Sequence, residues 1–212
     1  MVGYAQNVLR EGFVMSAPQF VNIGTGADIP IQSIKAVGED TSDNVYIQLL
    51  DAHGYTTVSY AWNDWASDEP CWVNDDYEPV KDVTFHAGQG LWMQGTSALQ
   101  GVQSAGKVGS SDVVVTLQEG FVAAGNPFPV AIDLQDIVAE GQDASDNVYI
   151  QLLDAHGYTT FSYSWNDWAS DEPCWVNDDY EPVVGASFAA GQGLWIQGTT
   201  AAQSIRFPAP EL

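Results

Sequence analysis

The chain has 212 residues and a formal net charge of −23, from 28 acidic and five basic residues. A negative field of this size attracts cations and repels nucleic acid and anionic membranes. Neither nucleic acid nor an anionic membrane is therefore expected as a partner. Hydrophobic residues make up 45% of the chain, enough for a folded core. No apolar run approaches the roughly 18 residues that indicate a transmembrane helix. The first residues look like a folded domain and not like a signal peptide, as in a mature or trimmed chain.

Short segments with a period of two predict β-strands along the first half of the chain. Turn signals separate these segments and predict two hairpins. One joins 45–50 to 56–62, and the other joins 83–85 to 91–94. The segment 31–34 predicts a single helical turn or a short strand. The predicted strands, in chain order, are 12–14, 45–50, 56–62, 71–73, 83–85 and 91–94, and the second half repeats the same pattern.

A block of 39 residues occurs twice in almost the same form, at 42–80 and 145–183. Only two positions differ, because Val58 corresponds to Phe161 and Ala61 to Ser164. The flanking residues have diverged much further. Either gene conversion maintained the block, or the same surface is required twice, as in bivalent binders and assembly subunits.

The repeat predicts two tandem domains, since a period of about 100 residues matches the commonest domain size. The predicted boundaries are 1–105 for the first domain, 106–112 for a linker, and 113–212 for the second domain. Short strands with turn signals about every eight to twelve residues are typical of sandwiches and barrels. The expected fold class is therefore all-β, with two antiparallel β-sandwich or barrel-like domains related by internal duplication, each of about six to eight strands.

The tryptophans of the repeated block are candidates for a binding or interface surface, because aromatic rings stack on sugars and anchor protein contacts. The alternative is that they fill the core of a small domain. Polar loops flank two of them, which favours exposure for Trp65 and Trp168. Trp92 and Trp195 lie inside a predicted strand, which favours the core. The candidates are Trp62, Trp65, Trp72, Trp165, Trp168 and Trp175.

Each block also holds eight acidic residues and no lysine or arginine. Hard cations take carboxylate oxygens, so calcium is the candidate cofactor. Asp-rich turns are common without metal, however, and none of these loops follows the EF-hand spacing. The candidate ligands are Asp64, Asp68, Glu69, Asp75, Asp76, Asp167, Asp171, Glu172, Asp178 and Asp179.

The two cysteines, Cys71 and Cys174, occupy the same place in the two blocks. They could form a disulfide with each other, form disulfides with other chains, or remain small buried hydrophobic residues. Zinc is not expected, because two isolated cysteines without clustered histidines are not a ligand set.

The sequence contains no catalytic constellation of recognisable spacing. His86 corresponds to Ala189, so it belongs to no duplicated site. A GxSxG elbow, a P-loop and a dinucleotide fingerprint are all missing. We therefore expect a protein that is not an enzyme.

Short motifs of the second repeat resemble a β-rich domain of secreted bacterial surface proteins with the pattern GF…GNPFP…ID…GQGFW. They are Gly120-Phe121, the stretch 125–129 (GNPFP), Ile132-Asp133 and the stretch 190–195 (AGQGLW). The first repeat departs from the pattern at 16–20, which reads SAPQF. The resemblance implies secretion and an extracellular or cell-surface role, and it implies no catalytic residues.

These observations predict a non-enzymatic extracellular structural protein that self-assembles, as a filament or surface-layer subunit does, and presents one patch twice. Two similar domains in a row can link head to tail, and a rotation that does not close gives a fibre. The alternative is a bivalent carbohydrate-binding or adhesive protein, with one site lined by Trp and Asp in each domain. Self-association and glycans are thus the expected partners.

Overall fold

The computed structural model describes residues 2–20, 28–51, 54–63, 68–154, 157–165 and 172–211. The fold is all-β, and its two halves contain matching sets of antiparallel sheets. This confirms the prediction of tandem duplicated β domains. The described part of the chain forms ten strands in each half, which is more than the sequence predicted.

The strands of the first half run from β1 to β10. Their bounds are β1 Val2–Val8, β2 Gly12–Ser16, β3 Ile29–Pro30, β4 Lys35–Gly38, β5 Tyr46–Asp51, β6 Gly54–Ala61, β7 Cys71–Val73, β8 Thr84–Phe85, β9 Leu91–Gly95 and β10 Gln100–Lys107.

The strands of the second half run from β11 to β20 in the same order. Their bounds are β11 Val113–Thr116, β12 Gly120–Gly125, β13 Ile132–Asp133, β14 Val138–Gly141, β15 Tyr149–Asp154, β16 Gly157–Ser164, β17 Cys174–Val176, β18 Ser187–Phe188, β19 Gly193–Gly198 and β20 Gln203–Phe207.

Each half is a sandwich of a five-stranded sheet and a three-stranded sheet. In the first half the strand orders are β2-β9-β5-β6-β7 and β1-β10-β4, and β3 pairs with β8 at one side. Alternate residues of each strand face the space between the sheets, because successive side chains of a strand point to opposite faces. Ile47, Trp72 and Met93 from the larger sheet thereby meet Val102 from the smaller one in a single core. The second half has the same arrangement.

Two local predictions have different outcomes. The segment 31–34 contains a 3-10 turn at Ile31–Ser33, and its counterpart is Leu134–Asp136, so the helical alternative was right. The predicted hairpin between 83–85 and 91–94 was wrong, because β8 pairs with β3 and β9 pairs with β2 and β5. The intervening glycines carry the chain from one sheet to another.

The connection between the halves is shorter than the predicted linker. Strand β10 continues to Lys107, pairing there with Val2. Val108 is buried in the core of the first half. Only residues 109–112 therefore separate the end of the first core from β11.

The two halves contact each other through equivalent elements in a reciprocal manner. The amide of Ala17 donates to the carbonyl of Gly191 at 3.0 Å, and the amide of Gly125 donates to the carbonyl of Gly88 at 3.1 Å. Two isolated antiparallel bridges follow the same exchange, Ser16 with Gln192 and Gln89 with Ala124. Such exchange of equivalent contacts is the signature of a two-fold, isologous interface. The duplicated domains thus form a closed pair inside one chain.

A glycine is required on each side of this interface because the two backbones approach closely. A Cβ on Gly90 would lie 2.5 Å from the carbonyl carbon of Ala123, and a Cβ on Gly193 would lie 2.5 Å from that of Met15. No side chain fits at such distances without moving backbone atoms. The repeated Gly-Gln-Gly stretches are therefore interface elements and not hairpin turns.

None of the helices within the described residues has the length and apolar character needed to cross a membrane.

Candidate functional site

The five-stranded sheet of each half has an outer face, turned away from the core, that is rich in aromatic and amide side chains. On β9, Trp92 and Gln94 alternate with the buried Leu91 and Met93, so they point outward. The pairing register of β2, β5 and β6 places other outward-pointing side chains beside these two residues. Eight residues of this face in the first half are Phe13, Met15, Tyr46, Gln48, Tyr55, Thr57, Trp92 and Gln94.

The second half presents almost the same outer face. Its residues are Phe121, Ala123, Tyr149, Gln151, Tyr158, Thr160, Trp195 and Gln197. Met15, which corresponds to Ala123, is the only one of these eight positions that differs between the halves. Buried positions behind the face have changed more freely, as Val58 to Phe161 and Met93 to Ile196 illustrate. Seven of these eight outer side chains are the same in the two halves, whereas some of the buried side chains behind them differ.

The two outer faces meet at the junction of the halves, where the rings form one row. The ring centroids of Trp92 and Trp195 are 6.2 Å apart. Phe13 packs edge-on against Trp92 at 5.8 Å, and Phe121 against Trp195 at 6.1 Å. Aromatic pairs prefer such tilted and edge-to-face arrangements. The two tryptophans therefore form the centre of a single aromatic surface that belongs to both halves.

Two adjoining clefts open on this aromatic surface. The larger, of about 330 Å³, is lined by Val8, Arg10, Phe13, Val14, Met15, Trp92, Gln151, Gln192, Gly193, Leu194 and Trp195. The smaller, of about 250 Å³, is lined by Phe121, Gln151, Tyr158 and Trp195. Gln151 and Trp195 line both clefts, so together the clefts form one groove across the junction. We call it the junction groove.

The junction groove differs from the rest of the surface in its charge. None of its lining residues in the described part of the chain is an aspartate or glutamate, although the chain carries 28 acidic residues. Among these described lining residues, Arg10 supplies the one formal charge. The groove instead offers amide groups, which both donate and accept hydrogen bonds, beside aromatic rings.

The structure describes four of the six candidate tryptophans, and it separates these four instead of gathering them into one platform. Trp72 and Trp175 are 0% exposed, and each indole N–H donates to a backbone carbonyl at 2.7 Å, that of Ile34 or Ile137. These two residues are core, so their prediction as binding residues was wrong. Alternation explains their position, because each lies on the inward side of a short strand. Trp65 and Trp168 lie outside the described residues.

Trp62 and Trp165 are the exposed members of the predicted set, each with 53% of its surface accessible. Each follows the last residue of a strand, and its backbone amide donates to the hydroxyl of Ser42 or Ser145. Trp165 borders a shallow cleft with Asp143 and other polar residues. These tryptophans are absent from the lining of the junction groove.

The candidate metal ligands do not converge in the part of the chain that the structure describes. No group of three or more His, Cys, Asp or Glu side chains there could hold an ion. Glu69 forms an exposed ion pair with Lys35 at 3.1 Å. The turn at Asp75 and Asp76 is organised by Asn74, whose side-chain oxygen accepts the amides of Asp76 and Glu78.

The remaining candidate ligands are exposed or lie beyond the described ranges. Asp68, Glu172, Asp178 and Asp179 are exposed. Asp64, Asp167 and Asp171 lie outside the described residues. Calcium binding therefore stays a prediction with no described cluster to support it.

Cys71 and Cys174 are free thiols, each partly buried at the start of an edge strand of its sheet. The disulfide considered between them is not formed. Burial disfavours the thiolate and raises the pKa of both cysteines above the ordinary value.

The aromatic residues of the junction groove were missed by sequence reasoning. Trp92 and Trp195 were assigned to the core, yet both are only partly buried. The signal that could have found them is the partner two residues on: Gln94 and Gln197 share their faces, and a strand face that carries glutamine is seldom a core face.

Searches of protein-family models, of curated proteins and of solved structures returned no match to this chain.

Proposed function

We propose that this protein is a non-enzymatic, extracellular carbohydrate-binding protein, and that the junction groove is its binding site. The observation that carries the proposal is the row of rings from Phe13 to Phe121 with Gln151 beside it. The two halves contribute to one site, so the expected stoichiometry is one glycan per chain and not two.

The chemistry of the groove matches that of a sugar. A pyranose ring has faces of C–H groups, which pack against aromatic rings, and a rim of hydroxyl groups, which exchange hydrogen bonds with amides. Trp92 and Trp195 supply the rings, and Gln151 and Gln192 supply the amides. Tyr158, more than half exposed, adds a hydroxyl at the far end.

Charge favours a glycan over most macromolecular partners. A chain of net charge −23 repels other acidic proteins and a second copy of itself. The outer face carries no acidic residue at its eight positions in either half. A neutral ligand rich in hydroxyl groups is not repelled by this charge, and its C–H faces can pack against the aromatic rings of the junction groove.

The lining of the groove favours binding over catalysis. As far as the structure describes it, the lining contains no carboxylate, histidine or cysteine, which are the usual groups for acid–base and nucleophilic chemistry. The extracellular location is supported by the resemblance of the GNPFP and GQG motifs to secreted proteins. Asn126 of the first motif is buried and donates to three backbone carbonyls, so the motif has a structural role.

The self-assembling filament or surface-layer subunit predicted from the sequence stays a prediction. It relied on equivalent domains joining head to tail. The interface in the structure is reciprocal and closed within one chain, so the contact between halves leaves no equivalent surface for the next molecule. This ranks glycan binding first.

The proposal is tested by a glycan array followed by isothermal titration with the strongest ligand. Gln151→Ala is the informative variant, because Gln151 lines both clefts. Gln48→Ala is its matched control: it is the same residue at the same register position of the other half, and it lines neither cleft. We expect Gln151→Ala to weaken binding about tenfold, as the loss of a hydrogen bond of about 1–1.5 kcal/mol predicts, and Gln48→Ala to change it little.

An array without any bound glycan would refute the proposal. Equal losses in the two variants, with two glycans bound per chain, would instead support the bivalent arrangement with one site in each half. Circular dichroism of both variants serves as the folding control.

A further inference from the structure

The outer faces of the two halves carry nearly the same residues, but the two halves contribute different residues to the junction groove. The residue equivalent to Arg10 in the second half is Gln118, and the residue equivalent to Met15 is Ala123. Arg10 lines the larger cleft together with both central tryptophans. A linear glycan has a direction, and a symmetric groove would accept it in either sense. The difference at Arg10 gives the groove a direction too.

Arg10 is available to a ligand. It is exposed, and among the described residues it forms no ion pair or hydrogen bond. The chain's other arginine is held by two carboxylates, since Arg206 contacts Asp112 at 3.1 Å and Glu140 at 2.6 Å. In a chain with 28 acidic residues, a guanidinium without a carboxylate partner that also lines a cleft is a specific feature.

The surroundings of Arg10 determine what it can bind. Its guanidinium presents a planar set of donors that pairs with both oxygens of a carboxylate or sulfate. Among the described residues no acidic side chain lines either cleft, so the described lining offers an anionic group this positive charge and no negative one. The long-range field of the −23 chain still opposes a densely charged polymer. The favoured ligand thus carries isolated acidic groups on sugar rings.

We propose that the junction groove selects acidic oligosaccharides, with one anionic substituent bound by Arg10 and the adjoining sugar rings packed on Trp92 and Trp195. This inference rests on the proposed function and adds the class of ligand. The anionic group is a carboxylate, as in a uronic acid, or a sulfate ester, and both use the same guanidinium geometry.

The test compares ligands that differ only in the anionic group. The probes are a tetrasaccharide that carries a single uronic acid residue, the same tetrasaccharide with that carboxyl group reduced to an alcohol, and the reduced form with that one alcohol sulfated. Isothermal titration at fixed ionic strength gives each affinity for the full chain. The expected result is binding of a charged form about tenfold or more tighter than the reduced form, as for other charge-assisted hydrogen bonds. Whether the carboxylate or the sulfate form gains identifies the source of the charge.

Arg10→Gln is the variant of choice, because it copies Gln118 of the other half and keeps a polar side chain of similar reach. We expect it to abolish the preference, so that the charged and reduced forms bind to this variant with similar affinity. Lys81→Gln removes the same charge from a site outside both clefts and should preserve the preference.

Equal affinity of wild type for the charged and reduced forms would overturn the inference and leave glycan binding in place. A preference that survives in Arg10→Gln would also overturn it. If none of the three probes binds, this inference fails, and the glycan array then decides on the proposed function separately.

Discussion

Replacing Gly90 by alanine is expected to disrupt the contact between the two halves. A Cβ at this position would lie 2.5 Å from both the carbonyl carbon of Ala123 and the amide nitrogen of Ala124. Both are backbone atoms, so the clash cannot be relieved by a side-chain rotation. The halves must move apart, and the hydrogen bonds from Gly90 to Ala123 and from Gly125 to Gly88, at 3.0 and 3.1 Å, are strained or lost.

The magnitude follows from these two effects. Overpacking costs about 1–3 kcal/mol, and two weakened backbone hydrogen bonds cost about 1 kcal/mol each. Alanine also lowers the conformational entropy of the unfolded chain, which by itself raises the unfolding free energy by about 0.4–1 kcal/mol. The expected net loss of unfolding free energy is therefore about 2–5 kcal/mol. Urea denaturation measures this loss, and calorimetry shows whether the halves still unfold in one transition.

Gly109→Ala is the matched control, because it changes a glycine of the connecting segment where a methyl group has room. A Cβ on Gly109 would lie 3.8 Å from its nearest neighbour, a ring carbon of Phe128. The substitution should be neutral or slightly stabilising. If Gly90→Ala and Gly109→Ala have equal stability, the close packing of the two halves is refuted, and with it the shared groove.

Three further predictions concern the core, the Asp112 carboxylate and the thiols. Trp175→Phe should lower the unfolding free energy by about 2–4 kcal/mol, because it leaves a buried carbonyl without its donor and shrinks a fully buried ring. Trp165→Phe, at an exposed position, should have little effect. Equal losses for the two variants in urea denaturation would contradict the structural role of Trp175. The Asp112 carboxylate accepts hydrogen bonds from a backbone amide and a guanidinium, which lower its pKa from the ordinary 3.8. The wild type should therefore be more stable than Asp112→Asn above pH 3.8, and this difference should disappear as pH falls through the lowered pKa. A difference in unfolding free energy that persists in strong acid would argue against these bonds. Cys71 and Cys174 should titrate as two thiols per chain in the denatured protein without added reductant. In the folded protein they should react with iodoacetamide more slowly than free cysteine, because burial raises their pKa. A disulfide found by mass spectrometry would contradict the structure.

The fold was predictable because the repeat and the period-two pattern are strong local signals. The alternation in 45–50 and 56–62 predicted β5 and β6, which pair as a hairpin. The pairing of β8 with β3 was not predictable in this way, because strands of two residues carry no period and their partners are far apart in sequence.

The site was less predictable, because whether a tryptophan is buried depends on which face of a sheet it occupies. Trp72 lies in a polar, acidic neighbourhood of the sequence and is nevertheless core. Trp92 lies in an apolar strand and is nevertheless part of the outer face. The contact between Trp92 and Trp195 joins residues 103 positions apart and depends on how the halves pack, which no local pattern reports.

The most direct test of the shared glycan site is a titration followed through the eight tryptophan indole N–H signals in a proton–nitrogen correlation spectrum, using the strongest ligand from the array. We expect the signals of Trp92 and Trp195 to shift together, with one saturation curve and one ligand per chain. The signals of the buried Trp72 and Trp175 should stay in place. Shifts at the exposed Trp62 without any at Trp92 and Trp195 would contradict the account and return the site to the acidic loops.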